Sequence, residues 1–299
     1  MYRPLRAPRH ETRLVRGLKH RLTWWGEPTD NPIVLLHGFM DTGVTWQFLV
    51  DCLPPEWTCV APDWRGFGDT QWAPEGYWFA DYLADLEALL EQLVPNDPAR
   101  VVAHSMGANI VGIYAGVRPT RLAWFVNLEG IGLPRTKAEE APDRYAQWLR
   151  EINDVPRGTH YATLDQLAAL LVKRNPLMTQ DRADFVAREW ARQGEQTPAG
   201  GVRLRFDQRH RIVNPVLYRR EEAEACWARM QIPMLLLMAG RSELMPRLGT
   251  DASAESVRAR FPGVRIETLP DVGHLMQFED PEAVARHILR FEQEMREAS

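Results

Sequence analysis

Long apolar runs, paired cysteines and an excess of positive charge are all missing from this sequence. No stretch approaches the ~18 consecutive apolar residues that cross a bilayer as a helix. The basic N-terminal segment MYRPLRAPRHETRLVRG lacks the apolar core of a secretory signal. Cys52, Cys59 and Cys226 are scattered and odd in number, with no C-x-x-C pair. That argues against a disulfide framework and for a reducing, cytoplasmic compartment. A formal net charge of −4 argues against general affinity for nucleic acid or anionic membrane surfaces. No H-E-x-x-H or comparable ligand cluster occurs, so neither a metal nor another cofactor is expected. Internal repeats and low-complexity tracts are absent too.

What is present is enough for a large core. The 299 residues, 45% of them hydrophobic, suit one α/β domain with an inserted lid. Short apolar runs alternate with longer helical patterns, the signature of a parallel sheet covered by helices. The expected strands are His20–Trp25, Ile33–Leu36, Thr58–Ala61, Arg100–Ala103, Leu122–Leu128, Met234–Met238 and Val264–Thr268. Between them, Asp81–Val94 carries an apolar stripe at Leu83, Leu86, Leu90 and Leu93. Met106–Val117 is apolar on nearly all sides, as a buried central helix should be, and Asp280-Pro281 opens a C-terminal helix. Residues 133–230 break the alternation: they are helical, charged and free of any convincing buried strand. The expected organisation is therefore a core at 1–132 and 231–299, with a helical lid at 133–230 between two strands.

Three segments carry chemistry. In RVVAHSMGAN an apolar strand runs into a helix through Ser105, with the small residues Ala103 and Gly107 two places before and after it. A serine on so sharp a turn is lifted above the sheet edge and exposed to a base and a substrate carbonyl. The usual pattern is G-x-S-x-G, and alanine replaces its first glycine. In LLHGFMDTGVTW, after a strand, a His-Gly pair turns the chain so that the Phe39 N–H faces a reacting oxygen. The Met106 N–H supplies a second donor to the same oxyanion hole. In LPDVGHLMQF, after the last strand, His274 follows a glycine in a loop, where a base is needed.

The combination HGFMDTGVTW, APDWRGFGDT, AHSMGAN and PDVGHLMQFEDP resembles the α/β-hydrolase superfamily, especially its epoxide-hydrolase-like and esterase branch. The resemblance covers roughly Arg13–Leu128 and Pro233–Phe291 and implies an α/β-hydrolase fold, a mostly parallel sheet flanked by helices. Epoxide hydrolases and haloalkane dehalogenases of this superfamily use an aspartate nucleophile; Ser105 here implies acyl transfer instead. The family usually places its acid after the strand Met234–Met238, which points to Glu243 in AGRSE. Glu129 in NLEGIGLP, at a position that some dehalogenases use, is the alternative.

These readings imply a carboxylic-ester hydrolase with Ser105 as nucleophile, His274 as base and Glu243 as orienting acid. The substrate is a small ester, with an apolar acyl group if Trp46, Trp64, Trp148, Trp190 and Trp227 line the pocket. The same triad serves carbon–carbon bond hydrolases and cofactor-free perhydrolases, and the fold also supports ligand receptors. Asp63–Asp69 carries two glycines without G-x-G-x-x-G spacing and reads as a structural turn. The basic run Arg203–Arg211, with Arg219 and Arg220 beyond it, reads as a solvated lid surface.

Overall fold

The computed structural model describes residues 2–156, 158, 160–191 and 201–297. Its strands are β1 (Arg9–Val15), β2 (Leu18–Trp25), β3 (Ile33–Leu36), β4 (Cys59–Pro62), β5 (Ala99–His104), β6 (Leu122–Leu128), β7 (Met234–Ala239) and β8 (Arg265–Leu269). They form one sheet in the order β1-β2-β4-β3-β5-β6-β7-β8. β2 pairs antiparallel with β1 and β4, and the remaining neighbours are parallel. The apolar runs mark every strand but β1. That edge strand, RHETRLV, is largely solvated and shows no apolar run. It turns into β2 through Arg16 and Gly17 at φ 45° and 82°, and Arg-Gly is a weaker hairpin signal than Asn-Gly.

The helices are α1 (Gln47–Val50), α2 (Phe79–Leu93), α3 (Ser105–Val117), α4 (Ala141–Glu151), α5 (Leu164–Arg174) and α6 (Gln180–Trp190). α7 (Arg220–Trp227), α8 (Met245–Leu248), α9 (Ala254–Arg260), α10 (Met276–Glu279) and α11 (Pro281–Glu297) follow. One core cluster joins the sheet to the leucines of α2 and to Ile110 and Val111 of α3. Another joins it to Leu49 and Val50 of α1 and to Val284, Ile288 and Phe291 of α11. Asp280 caps α11 as expected, its Oδ1 accepting the Ala283 N–H at 2.9 Å. Asp85, which is not one of the stripe leucines of α2, is buried as the partner of Arg65, whose Nε donates to it at 2.5 Å.

The segment expected as a lid divides in two. α5 and α6 pack on one another, and Leu171, Met178 and Val186 share an apolar cluster with Phe48 and Phe278 of the framework. α7 instead packs on α3, and its Trp227 stacks on Phe261 at 4.7 Å inside the main core. α7, within the segment expected as lid, thus shares the core of the sheet and α3 rather than the cluster of α5 and α6. Residues 192–200 of the segment lie outside the described residues. Among the described residues, no helix is long and apolar enough to cross a membrane.

The topology itself marks a site. From β3 the chain goes to β4 on one side, then crosses back to β5 on the other. Ligands of open α/β sheets bind beyond the carboxyl ends of the strands at such a reversal. The segments carrying Phe39 and Ser105 leave from those two ends.

Candidate active site

Ser105 begins α3 directly after β5, at φ 51°. A left-handed serine is strained, and the packing around it shows what holds it there. A Cβ on Gly107 would lie 2.6 Å from the carbonyl oxygens of Leu36 and His37, and one on Gly38 would lie 3.1 Å from the Ser105 Cβ. Only glycine lets the end of β3 and the start of α3 approach this closely. Met106, the next residue, presents its N–H at the first turn of α3, where helix amides have no partner within the helix.

Phe39, the other expected oxyanion donor, follows Gly38, with its ring 44% exposed. That ring packs on Phe67 at 5.6 Å and His210 at 6.2 Å. His37 fixes the turn. Its Nδ1 donates to the Gly38 carbonyl at 2.7 Å while its Nε2 accepts the Trp64 N–H at 2.9 Å. Those partners require one neutral tautomer, and complete burial agrees by pulling the imidazole down to about 4.

His274 lies in the loop after β8, and its Nδ1 is 2.8 Å from Oε2 of Glu129. The carboxylate faces Nδ1, so Nδ1 donates and Nε2 is left with its lone pair. Glu129 sits at φ 54° just past β6. Asn127 pins the turn by donating to the Gly130 carbonyl and accepting the Gly130 N–H, at 2.8 and 2.7 Å. The carboxylate is buried and also accepts the Ala239 N–H and the Ser242 hydroxyl, each at 2.8 Å.

The carboxylate that faces His274 is thus that of Glu129, the alternative, and not that of Glu243. Glu243 points to solvent, and the residue that reaches the site from the end of β7 is its neighbour Ser242. Beyond Ala239 the chain turns sharply: Gly240 N–H bonds to Leu269 and Arg241 N–H to Val272. The turn directs the Ser242 hydroxyl onto Glu129 and carries the next side chain outward. Among the described residues, the non-glycine positions at positive φ are Arg16, Met40, Ser105 and Glu129. All but the hairpin residue Arg16 flank this one site, and strain of that kind concentrates where function over-determines the backbone.

His104 was not singled out from the sequence. Its Nε2 donates to the His274 carbonyl at 2.9 Å, and burial drives its ionisation well below the ordinary range. Neutral His104 thus ties the serine turn to the base-bearing loop. Its place beside Ser105 in AHSMG was the one available signal.

The expected pocket tryptophans separate. Trp46, Trp64 and Trp227 are at most 1% exposed and belong to the core. Such flat apolar side chains fill cores as readily as pockets. Trp190 is partly buried at the end of α6 and donates its indole N–H to Asp41 at 2.7 Å. Trp148 is partly buried on α4, where it lines a cleft with Tyr77, Trp78 and Ile152. Among the described residues, no cluster of three or more His, Cys, Asp or Glu could hold a metal ion.

Comparison with known proteins agrees with this architecture. Residues 31–281 match the model of the family described as alpha/beta hydrolase fold. A zebrafish (Danio rerio) protein named serine hydrolase-like protein is 25% identical over 278 residues, covering 89% of this chain and 83% of its own. A putative non-heme bromoperoxidase of Mycobacterium tuberculosis is 29% identical over 270 residues, 88% of this chain and 94% of its own. The solved thioesterase domain from the curacin biosynthetic pathway superposes with a TM-score of 0.82 at 22% identity, covering 95% of this chain and 99% of its own.

Proposed function

This chain belongs to the alpha/beta hydrolase family, and from that premise we propose that it cleaves carboxylic esters through an acyl-enzyme formed on Ser105. The observation that carries the reading is the bond between Glu129 and Nδ1 of His274, at 2.8 Å. It holds the imidazole in the tautomer whose Nε2 accepts a proton. Ser105 Oγ attacks the ester carbonyl while Nε2 of His274 takes the hydroxyl proton, and Glu129 stabilises the imidazolium that results. The carbonyl oxygen, now an anion, is received by the N–H groups of Phe39 and Met106. Collapse of the tetrahedral adduct breaks the bond to the alcohol, which leaves with the proton from Nε2. Water then attacks the acyl-enzyme, giving its proton to the same nitrogen, and the acid departs as Ser105 is reprotonated.

Residues 133–219 are the lid in this reading, and they select the substrate while the framework supplies the reaction. The test is turnover of p-nitrophenyl esters of graded chain length, together with labelling by a fluorophosphonate. Wild type should hydrolyse the esters and carry the adduct on Ser105, and Ser105→Ala should do neither. Labelling of another serine, or turnover that survives Ser105→Ala, would overturn the assignment.

A further inference from the structure

The lid contains a cationic cavity that neither the triad nor the oxyanion hole uses. It has a volume of about 260 Å³, and its lining includes His160, Arg203, Leu204, Phe206, Gln208 and Arg211. Among the described lining residues none is acidic. The basic run that supplies it, read from sequence as a solvated surface, is divided by the fold. Arg205 is spent on Asp69 and Arg209 on Asp207, the latter with Nε to carboxylate at 2.8 Å.

Arg211 is different. It is partly buried, and its guanidinium lies 5.4 Å over the Phe206 ring. Its Nε is shut off from solvent without an acceptor, and no carboxylate pairs with it among the described residues. The Gln208 Oε1, also buried, has no partner among the described residues; it is an acceptor, so only the NH₂ of that amide can serve an anion. A donor left unsatisfied on a cation is costly, and a planar guanidinium is shaped to grip a carboxylate through two parallel bonds.

One side chain of the cavity wall packs near the loop that carries Phe39. Phe206 walls it, and the ring of Phe206 lies 6.4 Å from that of Phe39. We propose that this cavity binds the carboxylate of an anionic ester substrate, with Arg211 as the principal contact and Arg203, His160 and Gln208 around it. The site would then prefer half-esters of dicarboxylic acids, long enough to reach from Ser105 past Phe39 and Phe206, over neutral esters of equal length. This rests on the reading of Ser105 as an ester-cleaving nucleophile, so turnover and binding are to be measured separately.

The turnover arm compares p-nitrophenyl half-esters of diacids, from succinic to sebacic, with neutral esters of matched length. Wild type should favour the longer half-esters. Arg211→Gln should lower kcat/KM on them by about ten- to a hundred-fold, as for one lost charge-assisted hydrogen bond. Neutral esters should stay within about two-fold, Arg211→Lys should recover part of the loss, and Arg203→Gln should give a smaller one. Equal loss on both ester classes, or no preference in wild type, would overturn the proposal. The binding arm measures suberate by calorimetry on wild type, Ser105→Ala and Arg211→Gln. Binding to the first two and not the third supports the cavity even if no ester is cleaved, and absence of binding to wild type overturns it.

Discussion

The indole N–H of Trp190, at the end of α6, donates at 2.7 Å to the carboxylate of Asp41, in the loop that carries Phe39. The same carboxylate accepts the Thr45 hydroxyl at 2.7 Å and the Thr42 N–H at 2.8 Å. The end of α6 and the loop after β3 are therefore joined through one buried acid. Burial pushes that acid up to about 6 despite the three donors.

Trp190→Phe keeps a ring against Phe278 and removes the N–H together with part of the indole's bulk, a packing loss that does not depend on pH. The lost donor served the carboxylate better than the neutral acid, so the penalty should depend on pH. We expect a loss on the order of 1–2 kcal/mol above about pH 7 and clearly less near pH 5. Denaturant unfolding of both proteins at the two pH values checks it. An equal penalty at both would mean that ionisation of Asp41 plays no part in the contact.

Asp63 shares this behaviour. Buried against the N–H groups of Gly43 and Asp69, it too is pushed up to about 6, with burial as the largest cause. A carboxyl whose folded value is raised binds more protons folded than unfolded between its two values. Its contribution therefore falls as pH rises from about 4 to about 6 and is fully lost above that. Asp41→Asn should flatten this slope, gaining about 1–2 kcal/mol relative to wild type between about pH 4.5 and about pH 7.5. A relative stability independent of pH would show that Asp41 ionises in the folded protein as it does unfolded.

Two tryptophans test the division of the lid segment. Trp227→Ala removes a ring stacked in the main core and should cost about 3–5 kcal/mol. Trp148→Ala, on a helix with no buried residue, should cost under about 1 kcal/mol while shifting the ester chain-length preference. Thermal unfolding and the graded ester series separate the two effects. An unchanged preference in Trp148→Ala would place the selecting surface elsewhere in the lid.

The features legible in the sequence were those set by local chemistry. Ser105 announces itself through the small residues at 103 and 107, because the strained turn admits nothing larger. The His37-Gly38 turn and the buried α3 are equally local. The tryptophans were not legible, since an indole at Trp46 and one at Trp148 look alike until packing is known. The acid was not legible for a related reason. Two neighbouring strand ends each carry a glutamate, and only the path of the backbone decides which one faces His274.

That path gives the sharpest test. Glu129 reaches Nδ1 of His274 because its own backbone is left-handed and because Ala239 and Ser242 hold its carboxylate. Glu129→Gln should leave KM near wild type and lower kcat steeply; the corresponding amide in a well-studied serine protease costs about 10⁴-fold. An amide there can turn its NH₂ toward the imidazole and stabilise the wrong tautomer. Glu243→Gln should stay within about two-fold, because the side chain is solvated and such surface changes are nearly neutral. Ser242→Ala should fall between them, losing one donor to a buried carboxylate while leaving the acid in place. Steady-state kinetics on the three variants ranks the residues. If Glu243→Gln were the crippled one, the loop after β7 would have to rearrange on substrate binding and bring Glu243 to His274 in place of Glu129.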